Sequence, residues 1–286
     1  MPLYQDEGVV LRTAKLGEAD RILTLLTRDH GKVRAVAKGV RRTKSRFGGR
    51  LEPFMRVALL IAEGRSLDVV SQAESIAAYA GPICADFQAY TAANVICETA
   101  DKLVATEKEP AAAQYRLVLG ALNALAKHAH DSSAIGDSYV LRALAIAGWT
   151  PRLRVCVVCG EPISSTLSWY FSIPAGGLMC AADHTPESEA VSWDAICRLS
   201  ALVDGDWGEL DGVPAAASIQ RETHQIVEEW GEYYLERPIR SMRLLDERVW
   251  LLRTWITNPL TFRRHRFPTR RSFPIFQRTR FRATSA

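Results

Sequence analysis

No apolar run in this 286-residue chain approaches the ~20 residues that a membrane-spanning helix needs. The opening MPLYQDEGVV lacks the basic-then-apolar pattern of a secretory leader. The expected compartment is therefore the cytoplasm, with no membrane contact. No G-x-x-x-x-G-K-[ST] loop is present to cradle nucleotide phosphates, no G-x-S-x-G elbow and no His-Glu-x-x-His pair. Nothing assembles into a nucleophile, base and orienter, so the chain is read as a non-enzyme. What remains is an ordinary globular mixture, 48% hydrophobic and 24% charged, which excludes collagen, disordered-tail and disulfide-scaffold classes.

Acid is missing where base is dense. The net charge of +4 divides into +5 over residues 1–80, −11 over 81–247, and ten arginines without a single acid over 248–286. Within Gly31–Arg50, Lys32, Arg34, Lys38, Arg41, Arg42, Lys44, Arg46 and Arg50 have no counter-charge. Charge runs are most often solvated surface, but eight cations in twenty residues favour a polyanion. Lys32, Arg34 and Lys38 share strand parity and so project from one face. Gly39, Gly48 and Gly49 make the following loop pliable, Arg21 extends the patch, and Phe47 is placed to stack on a base. If five cations touch phosphates, log K falls with log salt at a slope of roughly −3.5 on single strands.

Residues 1–80 read as short strands at Gly8–Thr13, Arg21–Thr27, Lys32–Lys38, Phe54–Ala62 and Leu67–Ile76. Five strands with tight turns suit a small closed barrel, an OB-fold or an SH3-like barrel. Residues 81–247 read as a helical domain, with helices at Asp86–Leu103, Ala113–His130, Ser138–Ala147, Trp193–Leu202 and Ser218–Leu235. Residues 152–185 interrupt it without helical period. The fold class is thus α+β and multidomain. Residues 248–286, rich in Arg and Phe and broken by Pro259, Pro268 and Pro274, read as an irregular tail without function.

Six cysteines divide into two groups. Cys84, Cys97 and Cys197 sit singly in apolar helical patterns, as small buried thiols do. Cys156-x-x-Cys159-Gly and Cys180-Ala-Ala-Asp183-His184 form two half-sites about 20 residues apart. They suit one structural zinc whose fourth ligand is Asp183 or His184, the first by spacing and the second by chemistry. The alternative is a zinc-dependent enzyme acting on nucleic acid, a deaminase or nuclease. It requires an open zinc position and a carboxylate base, for which Glu161 and Glu187 are nearest in sequence. His128 and His130, at the polar end of a helix, are expected to cap it or face water.

The runs Gly17-Glu18-Ala19-Asp20-Arg21-Ile22, Gly31-Lys32-Val33-Arg34-Ala35-Val36-Ala37-Lys38-Gly39-Val40-Arg41-Arg42 and Leu51-Glu52-Pro53-Phe54 resemble the amino-terminal domain of the bacterial recombination mediator family RecO, in its actinobacterial branch. The likeness covers roughly residues 4–247. It implies an OB-fold joined to a helical domain with an embedded zinc knuckle. It also implies binding of single- and double-stranded DNA and annealing of complementary strands. RecR and the single-strand-binding protein are the implied partners in loading RecA. Two departures stand out. Asp183 occupies the place of a fourth cysteine, and although the family usually ends soon after the Glu236-Arg237 helix end, this chain has a tail after about Val249 without counterpart.

Overall fold

Alternation of apolar and polar residues builds the first domain. In Gly31–Ala37, Val33, Ala35 and Ala37 point inward and Lys32 and Arg34 outward. The computed structural model describes residues 2–212 and 215–245. Its strands β1 (Leu3–Leu16), β2 (Asp20–Thr27), β3 (Gly31–Ala37), β4 (Met55–Ala62) and β5 (Asp68–Ala78) close a barrel in the order β1-β2-β3-β5-β4. β4 returns to pair with β1, and β3 meets β5 in parallel at Ala35–Asp68 and Val36–Val69. This is the OB order, and it decides against the SH3-like alternative. Closure leaves no unpaired edge, so every strand has neighbours on both sides. The interior is filled by Val10, Leu23, Leu25, Val33, Val57, Ile61 and Val70.

β1 is longer than expected because Leu3–Glu7 pairs with β4 and Ala14–Leu16 with β2, largely as exposed chain, while its middle is covered on both faces. A bulge between Val10 and Arg12 breaks the alternation. Val10 enters the barrel, while Val9 and Leu11 join Leu26 and Phe54 in a second core shared with the helices. Ala92, Ile96, Tyr115, Val118, Leu122 and Tyr139 supply the helical side of that core. Burial of both faces removes the polar alternation by which a half-exposed strand is recognised.

The short α1 (Ala80–Ala85) leads into α2 (Phe87–Leu103), capped where Asp86 accepts the Ala89 N–H at 2.7 Å. α3 (Ala112–Ala126) stops four residues short of His130. His130 does not face water: its ring stacks on Trp207 at 4.1 Å and its Nδ1 lies 2.6 Å from Asp211. α4 (Ser132–Ile146), capped by Asp131, begins six residues before the periodicity suggests. Ala134–Leu141 is buried all round, so α4 carries no amphipathic stripe to mark its start. It packs against α2, α3, α5 (Trp193–Asp204) and α7 (Ala217–Leu235), with the short α6 (Trp207–Gly212) beside α5.

Between α4 and α5 the structure has strands where the sequence suggested only irregular chain. β6 (Trp169–Ser172), β7 (Gly177–Cys180) and β8 (Glu189–Val191) form an antiparallel sheet in the order β7-β6-β8. The Pro174-Ala175-Gly176-Gly177 turn is a hairpin signal that could have revealed the first pair. Trp169, Phe171 and Leu178 pack with Leu144, Leu199, Val227 and Trp230 in a third core. Of the lone cysteines expected inside, Cys97 is buried, Cys197 half-buried and Cys84 exposed, because only Ile83 of the short α1 is buried. Residues 248–286 lie outside the described residues.

Candidate nucleic-acid face and metal centre

The basic run divides into two parts. β3 ends at Ala37, so Lys38 falls in the following turn and does not share a strand face with Lys32 and Arg34. Those two are turned toward the helical domain. Lys32 Nζ lies 2.8 Å from Asp101 Oδ1 and donates to the Asp101 carbonyl at 2.7 Å, with its side chain only 12% exposed. Arg12 adds a 2.7 Å bond to Asp101. Burial pulls the Asp101 carboxyl upward, but Lys32 and Arg12 hold it below its ordinary value. Arg34 meets Glu107 at 3.6 Å. Arg21 is also paired, with Glu52 at 2.7 Å. The expectation that the eight cations of the run lack counter-charge is therefore corrected for Lys32 and Arg34, and Arg21, expected to extend the patch, is itself paired.

Gly31 makes this seam possible. Its φ is +61°, and a Cβ there would lie 1.8 Å from the Glu109 carbonyl oxygen. The same close approach lets the Lys108 N–H donate to the Lys32 carbonyl at 2.8 Å.

The second part comprises Lys38, Arg41, Arg42, Lys44, Arg46 and Arg50, all exposed. None of the six pairs with a carboxylate among the described residues. Arg41 donates to the carbonyls of Glu18 at 3.0 Å and Gly17 at 3.4 Å, and Arg50 to that of Arg46 at 3.1 Å. The loop is not the open flap that its glycines suggest. Consecutive turns run through Arg42–Gly39, Ser45–Arg42, Gly48–Ser45 and Arg50–Phe47 hydrogen bonds. The Arg41 N–H bonds to the Ala19 carbonyl, and the Gly39 N–H to Asp20. Val40, Phe47 and Leu51 enter the barrel core. Phe47, 1% exposed, cannot stack on a base; the Arg46 guanidinium sits 4.8 Å from its ring centre. An apolar ring beside a barrel interior is worth more buried than wet.

The second cluster gathers the two half-sites. The thiols of Cys156, Cys159 and Cys180 and the carboxylate of Asp183 lie within 4.8 Å of one another, close enough to hold a metal ion. Cys159 and Cys180 sulfurs are 3.8 Å apart, and Asp183 Oδ2 is 3.2 Å from Cys180 Sγ and 3.4 Å from Cys156 Sγ. The first knuckle is closed by the Gly160 N–H on the Cys156 carbonyl, and the second by the His184 N–H on that of Cys180. Burial raises the Cys156 thiol, yet the N–H groups of Cys159, Cys180 and Val158 outweigh it and favour thiolate. Asp183, accepting from the thiols of Cys159, Cys180 and Cys156, is held below the usual carboxylate range. Cys159 is pushed up to about 12, first by its hydrogen bond with Asp183.

His184 does not join the cluster. Its ring stacks on Tyr170 at 4.1 Å, and Nδ1 lies 2.9 Å from the Ala181 carbonyl. The two candidates for the fourth place are thus separated by orientation, and Asp183 is the residue that converges. Four protein atoms around one point leave no open position of the kind a catalytic zinc keeps. Glu161 contributes its carbonyl to the knuckle, accepting from the Cys156 N–H. Glu187 lies at a separate cavity beside Glu189 and Glu222.

A closed OB-order barrel with an exposed cationic loop, joined to a helical part that carries a cysteine cluster able to hold a metal ion, defines a two-part protein suited to meeting a polyanion. Known proteins are similar in the same two parts. The family model "Recombination protein O N terminal" matches residues 1–79, and "Recombination protein O C terminal" matches residues 84–243. The DNA repair protein RecO of Bifidobacterium adolescentis is 98% identical over 246 residues, covering 86% of this chain and all of the relative. Its namesakes from Bifidobacterium longum and Thermobifida fusca are 64% and 45% identical, over 86% of this chain and 100% and 99% of theirs. The chain belongs to the RecO family, and its role is in recombinational DNA repair. Among the described residues no helix is long and apolar enough to cross a membrane.

Proposed function

We propose that the chain is a cytoplasmic DNA-binding mediator that anneals complementary strands and assists RecA loading, working with RecR and the single-strand-binding protein. The carrying observation is the set of six exposed cations on one barrel loop, unpaired with carboxylates among the described residues. Each cation that meets a phosphate releases condensed counterions, an entropy gain that needs no base reading. Two polyanionic strands brought to one cationic surface repel each other less, so base pairing proceeds. Single and double strands are both substrates for such a surface, with weak sequence preference.

In this reading residues 1–80 form the DNA-binding domain, and residues 81–247 are its support and its partner-binding half. The metal is a structural zinc on Cys156, Cys159, Cys180 and Asp183. Zinc–thiolate bonds of about 2.3 Å in a tetrahedron place sulfurs about 3.8 Å apart, the separation found between Cys159 and Cys180. Bound zinc would neutralise the gathered thiolates and tie β7 to the 156–160 turn.

The test is a salt series of DNA binding on Arg42→Glu with Lys44→Glu. These positions are preferred to Arg41, whose guanidinium also holds the Gly17 and Glu18 carbonyls. Six phosphate contacts give a slope of about −4 on single strands, and removing two brings it to about −3. An unaltered slope with unaltered affinity would remove the loop from the account.

A further inference from the structure

The basic loop has cations but no available ring, because Phe47 is inside the barrel. Rings are available immediately beyond the barrel. Phe87 and Tyr90, 48% and 44% exposed, occupy the first turn of α2 three residues apart and so share one helix face. Tyr90 is not loose: its ring meets the buried Phe54 edge-on, with centroids 5.9 Å apart and planes at 83°. Phe54 is itself fixed, its N–H bonded to the Val10 carbonyl at 2.9 Å. Phe54 stands four residues after Arg50, so their Cα atoms are no more than about 14 Å apart. The helix start beneath the rings is held by Asp86, whose carboxylate is occupied by the Ala89 N–H.

Among the described residues the other exposed aromatics lie elsewhere. Trp149 and Tyr233 both pack on Tyr234, which belongs to the core around the cysteine-bearing sheet. Large exposed rings stay wet at a cost unless something covers them. Beside a cationic loop the chemistry that matches both features is a phosphate chain carrying flat, apolar-faced groups, that is, single-stranded nucleic acid. A duplex hides its base faces in the stack and gains nothing from such rings.

We propose that Phe87 and Tyr90 form a base-stacking platform that works with the basic loop and strengthens binding of single strands while adding nothing to binding of duplex. This rests on the reading of the loop as a phosphate-binding surface. Bases unstacked by the loop's hold on the backbone lie against the two rings, with Phe54 bracing Tyr90 from behind. The platform reads no base edges, so it is tolerant of sequence.

The test compares the full chain with Phe87→Ala/Tyr90→Ala on three probes of equal length: a mixed-sequence single strand, a strand of abasic sites, and a duplex. The expected result is about tenfold weaker binding of the mixed-sequence strand, with abasic and duplex binding and all salt slopes unchanged. Tyr90→Phe should retain wild-type binding, since stacking does not need the hydroxyl, and Tyr233→Ala should do so as an exposed aromatic elsewhere. Photocrosslinking of an iodouracil-substituted single strand should mark Phe87 or Tyr90 directly, which keeps the proposal testable even if the double variant loses stability. Equal loss on the abasic strand, no loss on any probe, or crosslinks confined to other peptides would overturn it. Failure of the loop reading shows separately, as a salt slope that Arg42→Glu/Lys44→Glu does not alter.

Discussion

Lys32 and Arg42 are ten residues apart in one basic run, and the molecule uses them in opposite ways. Lys32 is nearly buried, held between a carboxylate and a carbonyl of Asp101 at the seam of the two domains. Arg42 is exposed, with no carboxylate partner among the described residues. The first is balanced within the chain and serves cohesion. The second has no such internal balance among the described residues, as the proposed phosphate contact requires. A cation run is thus not one feature but two, sorted by which acids the fold brings to it. The cysteine cluster is the mirror image: three thiols and a carboxylate gathered closely enough to hold a metal ion.

The contrast can be broken most severely at that cluster. Replacing Cys156 and Cys159 by serine, or adding a strong chelator, should destabilise the helical domain by several kcal/mol while the barrel keeps its own transition. Calorimetry with and without chelator reads this, and superimposable traces would deny the metal any structural role. Next is a pair of glycines with similar backbones and different surroundings. Gly31 (φ +61°) faces the Glu109 carbonyl, whereas Gly48 (φ +53°) has nothing within 4 Å of a new Cβ. Alanine at 31 should cost about 3 kcal/mol or more, from strain plus displaced backbone, and alanine at 48 about 1 kcal/mol. Equal urea midpoints for the two variants would mean that the seam is not held closely.

A smaller effect separates the cations themselves. Lys32→Ala should cost about 1–2 kcal/mol, because Asp101 keeps only Arg12, and should leave the DNA salt slope alone. Arg42→Ala should change stability by under about 0.5 kcal/mol and reduce the slope by about 0.7. The reverse assignment of effects would overturn the division. The mildest test is acid. Asp101 has a lowered carboxyl in the folded chain, so its contribution is complete above the unfolded aspartate value of 3.8 and is lost as pH falls through the lower folded value. Asp101→Asn should flatten that part of the acid limb of stability against pH, and a limb identical to wild type would show the pair to be idle.

Turn residues, with period-two alternation in β3, located all five barrel strands. Local pattern missed the ends of β1, which are largely exposed and held only by pairing with β4 and β2, and the start of α4, where neighbours cover every side. It also passed over β6–β8, whose strands are too short to show a period. At the candidate metal centre, cysteine spacing picked out three of the four residues that converge. The choice between Asp183 and His184 needed orientation, since adjacent residues leave a turn in different directions, and Tyr170 draws the imidazole aside.

Local order alone determined the barrel strands, the two cysteine half-sites and the concentration of positive charge, because each is written within a few neighbouring residues. Which lysine meets Asp101, where Phe47 goes and which rings remain at the surface were decided only by tertiary packing. Charge pairing and burial depend on groups that the chain brings together from 69 to 89 residues away, and spacing along the sequence carries no record of that distance.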